Sequence, residues 1–297
     1  MSDSTTKKSL KQSWKENGYV LIRNIFSNQE TKFLLHKTQE ISGLKDEDFE
    51  DVLNGQKNHF VDTDSPLVSR KEFWPFITNR HILEFIRRIL DENICFLGGD
   101  GIFVHRSAHT LHRDSFIDDD TLAGPDFDPS LSSLLNVRAT TYLKPTEMIV
   151  VPGSHRRAYP DRNRLKFKEF EDLAIFIAIE PEDILIFDSM LLHAGRYLTA
   201  PKYQLVWNYS SRNKHTIIAK YYSQIVTSAH VRTPSPEFSQ YLMDHNLFWE
   251  ELYSDEKYLK HFEHKWREMP KHDNSSSQKK KEGKHPGHWS PYLENLY

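Results

Sequence analysis

Two short stretches of the chain carry residues whose types suit a metal. Thr110-Leu111-His112-Arg113-Asp114-Ser115-Phe116 holds a His-x-Asp, and Met190-Leu191-Leu192-His193-Ala194-Gly195 holds a further histidine. Two imidazoles and one carboxylate make a facial triad, which binds Fe(II) on one side and leaves the other coordination positions open. Neutral imidazole nitrogen suits Fe(II), and one carboxylate cancels part of the charge without saturating the ion. On an extended segment, His112 and Asp114 project to the same side, because strand side chains alternate. The third ligand must then come from a strand that is a neighbour in space. A His-x-Asp alone is a weak signal. The plainer alternatives are an exposed turn for His112 and Asp114 and a satisfied core histidine for His193.

A second cluster competes for attention. On a helix, His105 and His109 would lie at i and i+4 and, with His112, would suggest zinc and a zinc-dependent hydrolase. The β-type run Ile102-Phe103-Val104 before them argues for a strand, which puts His105 on the substrate side or in barrel packing. Asp118-Asp119-Asp120 reads as a solvated loop, and the long stretch 117–134 is a candidate lid. Lys279-Lys280-Lys281 and the aromatics Phe248, Trp249, Phe262 and Trp266 read as solvated tail and helix packing rather than a nucleic-acid platform.

The elements that position these residues have to come from a chain of 297 residues with a formal charge of −3. Its 18 Phe, 13 Tyr and 6 Trp suffice for a sizeable core. The near-balanced charge argues against a polyanion partner. The one cysteine, Cys95, excludes an internal disulfide framework and a cysteine zinc site, and its apolar run predicts a buried, inert thiol. No apolar run reaches the length of a membrane span and the N-terminus lacks a secretory signal. A cytoplasmic protein is expected, with no nucleic-acid or membrane partner, as a monomer or weak homodimer.

Residues 1–10 are expected to be disordered. Tyr19–Ile22 predicts a buried strand after a glycine turn. Ser27 and Glu30 form a capping box for a helix that turns Phe33, Leu34 and Ile41 inward. Asn79 caps a second helix whose apolar stripe is Ile82, Phe85, Ile86, Ile89 and Leu90. Trp74 and Phe76 read as core. From Ile94 onward short β-type runs follow, at Ile94–Leu97, Ile102–His105, Val137–Leu143, Met148–Val151, Ile175–Ile179, Ile184–Phe187 and Gln204–Tyr209. Many short strands with punctuated turns predict a mainly β barrel or sandwich with flanking helices. Phe238–Tyr253 and Tyr258–Trp266 read as helical. The chain therefore divides into a main domain over 11–215, a helical extension over 216–269 and a flexible polar tail with an apolar end over 270–297.

The order of motifs is itself informative. The segment Asn17–Phe26 with its capped helix, then His112-Arg113-Asp114, then Val150-Val151-Pro152-Gly153-Ser154-His155, then Glu182-Asp183-Ile184-Leu185-Ile186-Phe187-Asp188 leading to His193, resembles the phytanoyl-CoA dioxygenase family of Fe(II)/2-oxoglutarate oxygenases over roughly residues 12–212. The resemblance implies a double-stranded β-helix (jelly-roll) barrel, Fe(II) on His112, Asp114 and His193, and 2-oxoglutarate and O2 as co-substrates. It gives His155 a turn position and no ligand role.

At one position the chain departs from the family. Members usually have arginine at position 204, paired with the far carboxylate of 2-oxoglutarate; here it is Gln204. Either another basic residue then anchors that carboxylate, or binding is weaker, or the co-substrate differs. Arg138 is the preferred candidate, with Arg196, Lys202 and Arg106 behind it. His105, Arg113, Phe116, Arg196 and Trp207 are the candidate substrate contacts, and their charge suggests a small carboxylate-bearing metabolite. The expected activity is oxidation of an unactivated C–H bond: hydroxylation, or desaturation or ring closure, with succinate and CO2 released. A binding protein that has lost turnover is the first alternative, and Gln204 is the residue that favours it.

Overall fold

A computed structural model of the chain describes residues 10–48, 66–90, 93–105, 111, 137–156, 170–195, 202–212 and 235–254. Helix α1 (Leu10–Asn17) leads through Gly18 into β1 (Tyr19–Ile22). Ser27 and Glu30 close the expected capping box on α2 (Asn28–Ser42). This helix buries Thr31, Leu34 and Thr38, at i, i+3 and i+7. Phe33 is one position off that stripe and is exposed, contrary to the sequence reading. Ile41 packs at the edge of the core as expected. Short helices α3 (Pro66–Ser69) and α4 (Trp74–Ile77) precede α5 (Arg80–Leu90). The side chain of Asn79 accepts the amides of His81 and Ile82, and the whole predicted stripe of α5 is buried. Each such aliphatic or aromatic side chain is worth about 1.5–3 kcal/mol of transfer from water.

The strands are β2 (Ile94–His105), β3 (Val137–Tyr142), β4 (Thr146–Val150), β5 (Ile175–Ile179), β6 (Ile184–Asp188), β7 (His193–Gly195) and β8 (Lys202–Ser211). The two runs read around Gly98 and Gly101 are one strand, β2, whose pairing with β8 shifts register at these glycines. The positive φ of Gly98 accommodates the irregularity. Among the described residues the strands form two antiparallel sheets. The larger has the order β1-β6-β3-β8-β2 and the smaller β5-β4-β7.

Alternation gives the larger sheet two distinct faces. Val137, Ala139, Ile184, Ile186, Tyr203, Leu205, Trp207 and Tyr209 join α5 and Trp74 in the main core. The opposite face turns Tyr142, Leu185 and Phe187 toward Met148, Val150, Ile177 and Ile179 of the smaller sheet. The fold is thus mainly β, two facing sheets with helices against one of them. After the last strand come α6 (Pro236–Asp244) and α7 (Glu251–Ser254), separated by a turn with Asn246 at positive φ rather than joined in the single helix expected. Phe238, Leu242 and Leu247 complete the main core. Cys95 is buried, as its apolar run predicts.

Candidate metal centre

His193 opens β7, and the backbone before it is fixed at each step. The Asp188 amide donates to the Gly18 carbonyl at 2.8 Å. The Asp188 carboxylate accepts the Met190 amide at 2.8 Å, and the Asp188 carbonyl accepts that of Leu191. Leu192 then donates its amide to the Ser154 hydroxyl at 2.8 Å and its carbonyl accepts the Val151 amide at 2.9 Å. His193 finally pairs with Val150 in the smaller sheet. The Pro152-Gly153-Ser154-His155 turn, with Gly153 at positive φ, therefore holds the segment that delivers the distal histidine. His155 is buried against Gly18, where a side chain would overlap its ring.

The His193 ring is buried, with Nδ1 at 2.9 Å from the Leu191 carbonyl. A carbonyl only accepts, so Nδ1 carries the hydrogen and Nε2 presents its lone pair. That tautomer is the one a metal-bound imidazole needs, and the carbonyl also fixes the ring's orientation. The ring centroid of Phe187 is 4.7 Å from that of His193.

Next to this histidine the inner face of β3 and β8 is polar. Arg138, Thr140 and Tyr142 alternate inward on β3, and Lys202, Gln204, Val206 and Asn208 on β8. Arg138 is directly opposite Phe187 on β6 and Asn208 on β8. Its Nε donates to the Asn208 side-chain oxygen at 3.2 Å, and the Asn208 amide donates to the Gly98 carbonyl at 2.8 Å. The Thr140 hydroxyl donates to the Leu205 carbonyl at 3.1 Å and so accepts from the Gln204 amide nitrogen at 2.9 Å. Lys202 is only 2% exposed.

Not every expected site residue is on this wall. Trp207 is on the opposite face, buried in the main core, with its indole nitrogen donating to the Tyr209 hydroxyl at 2.8 Å. It is removed from the expected substrate contacts, because one residue of strand reverses the side a group faces. His105 ends β2 with its backbone opposite Lys202. Its backbone is extended there, as the sequence reading expected. His112, Arg113, Asp114, Phe116, Arg196, Arg106 and His109 are outside the described residues. Among the described residues no three His, Cys, Asp or Glu side chains share a metal position. Leu111, immediately before His112, is described: it is buried in one small cluster with Leu192 and Ala194, the two neighbours of His193. Sequence reading missed the supporting roles of Thr140, Ser154, Phe187 and Asn208, since only strand pairing reveals them.

The phytanoyl-CoA dioxygenase (PhyH) family model matches residues 14–202. The chain belongs to this family. As a member it is a non-haem iron, 2-oxoglutarate-dependent oxygenase, and the lone-pair side of His193 fits such a metal. No curated relative matches the sequence. Among solved structures the fold is similar to the non-heme alpha ketoglutarate dependent epimerase SnoN from nogalamycin biosynthesis, at 13% identity and a TM-score of 0.50, covering 68% of this chain and 82% of that one. It is also similar to EctD from S. alaskensis, crystallised with 2-oxoglutarate and 5-hydroxyectoine, at 15% identity and a TM-score of 0.51, covering 71% and 78%. No helix among the described residues is long and apolar enough to cross a membrane.

Proposed function

We propose that this family member uses His112, Asp114 and His193 to hold Fe(II) in a double-stranded β-helix, and oxidises an unactivated C–H bond of a small metabolite. The observation that carries the assignment is the cluster of Leu111 with Leu192 and Ala194. Consecutive Cα atoms are about 3.8 Å apart. A residue adjoining Leu111 and one between Leu192 and Ala194 are therefore suited to reach one ion. Asp114, two residues beyond His112, would project to the same side on an extended segment.

Bound together, iron and 2-oxoglutarate supply the oxidising power, with O2 consumed, succinate and CO2 released, and a substrate C–H bond oxidised. The chain's own residues bind and orient. Leu191 holds the His193 tautomer, Phe187 keeps water from one side of the ring, and Gln204 and Arg138 offer polar contacts to the co-substrate, with Arg196 as the remaining candidate. His105, Arg113 and Phe116 are the contacts assigned to the substrate. The basic members of this set favour a carboxylate-bearing molecule, and its oxidation takes the form of hydroxylation, desaturation or ring closure.

The test is anaerobic addition of Fe(II) and 2-oxoglutarate to the full chain. A visible charge-transfer band is expected, followed by succinate once O2 is admitted with substrates from a metabolite library. A protein that gives neither would be a binding protein on the same framework, the alternative that the neutral Gln204 favours.

A further inference from the structure

On the inner wall of the larger sheet, two cations are separated along β8. Lys202 and Gln204 are successive inward residues of this strand, since Tyr203 and Leu205 between and beyond them belong to the main core. At about 3.3 Å per residue, the backbone positions of Lys202 and Gln204 are about 7 Å apart, within reach of a four-carbon lysine stem. Arg138 is opposite Asn208, four residues beyond Gln204, or about 13 Å along the strand. Its Nε is held there by Asn208, and its other strand neighbour is Phe187, which packs on His193. Arg138 therefore belongs to the metal end of the wall. Gln204, by contrast, is opposite Tyr142, whose hydroxyl is 3.9 Å from the Met148 sulfur, and Met148 pairs with Gly195, two residues past the histidine.

A 2-oxo acid held by its keto acid end on a metal at His193 would extend along this wall. Its second carboxylate would then lie near the Gln204–Thr140 pair, where the side chains are neutral. Lys202 is 2% exposed, so it places a cation out of solvent at the Gln204 level of this wall. We propose that Lys202 supplies the counter-charge for the distal carboxylate of the co-substrate, with Gln204 and Thr140 as its hydrogen-bonding neighbours. This rests on the oxygenase reading above and goes further, since it moves the anchor from the family's position to the residue two places before it. It leaves Arg138 to act at the metal end.

The charge can be tested apart from turnover. Anaerobic Fe(II)-loaded protein is titrated with 2-oxoglutarate and with 2-oxovalerate, which has the same carbon chain and no distal carboxylate, while the visible band is followed. The wild type is expected to prefer 2-oxoglutarate. Lys202→Met should weaken 2-oxoglutarate by about tenfold or more, the scale of a lost charged hydrogen bond, and leave 2-oxovalerate unchanged. Lys202→Arg should keep the preference, and Gln204→Arg added to Lys202→Met should restore it. If Lys202→Met does not fold, the same ratio is read in Lys202→Gln, which keeps a polar end. A preference that survives loss of the lysine charge overturns the proposal while the oxygenase reading stands. Absence of a band with either acid in the wild type overturns both.

Discussion

The amide of Leu192 donates to the hydroxyl of Ser154 across 2.8 Å, so the turn after β4 grips the chain one residue before the distal histidine. Removing the acceptor leaves a buried N–H unsatisfied, at a cost of about 1–3 kcal/mol. Ser154→Ala is expected to lower the melting temperature and, because His193 loses a support, to weaken Fe(II) binding severalfold. Calorimetry and an anaerobic iron titration read the two effects. Unaltered iron affinity in a destabilised variant would show that the turn serves only stability.

Phe187 stands between His193 and Arg138. Phe187→Leu retains most of the apolar volume, so the fold should survive at a cost below about 1.5 kcal/mol. Loss of the flat ring frees the imidazole and lets water approach. We expect weaker iron binding and a shifted charge-transfer band, with little change in circular dichroism. A band identical to the wild type would rule out a part for Phe187 in shaping the centre.

Asp183 accepts from Arg23 at 2.6 Å, from the Asn24 amide at 3.1 Å and from the Glu180 amide at 2.9 Å. The Arg23 side chain is 52% exposed, so that ion pair contributes little. The two backbone amides dominate. Asp183→Ala should cost about 2–4 kcal/mol, whereas Arg23→Ala should stay within about 1 kcal/mol. Chemical denaturation of both variants decides whether this order holds.

Trp207 tests the assignment of faces. Trp207→Phe removes the indole hydrogen bond to Tyr209 and some core volume, for an expected loss of about 1–2 kcal/mol. Because the side chain is turned away from His193, keto acid affinity should be unchanged. A tenfold fall in that affinity without unfolding would place Trp207 back among the binding residues.

Burial holds the Tyr209 hydroxyl far above the usual tyrosine range. The folded state keeps its proton where the unfolded chain releases it. This contribution is complete below about pH 10, the ordinary tyrosine value, and declines as pH rises above it. The melting temperature should therefore fall more steeply above that pH in the wild type than in Tyr209→Phe.

Much of the framework was legible because it is local. The capping box at Ser27, the stripe of α5 and the strand Tyr19–Ile22 each follow from residues a few positions apart. The faces and levels of the strands were not, because they depend on pairing between distant segments. Phe33 and Trp207 are both large and apolar, yet one is exposed and the other lies in the main core, on the sheet face away from Phe187. Arg138 stands out in the sequence as a cation within an apolar run. Its level, opposite Phe187 rather than beside Gln204, emerges only from the register of β3 with β6 and β8. Lys202 is among the lesser anchor candidates of the sequence, but its burial was not legible, since nothing local distinguishes a buried lysine from a surface one.

Gly18 has a consequence for where the protein can be cut. Its carbonyl receives the Asp188 amide, Asn17 receives the amide of Gly153, and β1 pairs along β6. Asn17, Gly18 and β1 are thus a splint laid across both the Asp188 and Gly153 ends of the histidine segment. A shortened chain starting after β1 would lose more than a terminus. It would bare the edge of β6, an invitation to pair with another molecule, and would loosen the segment that presents His193, so aggregation and loss of metal should arrive together.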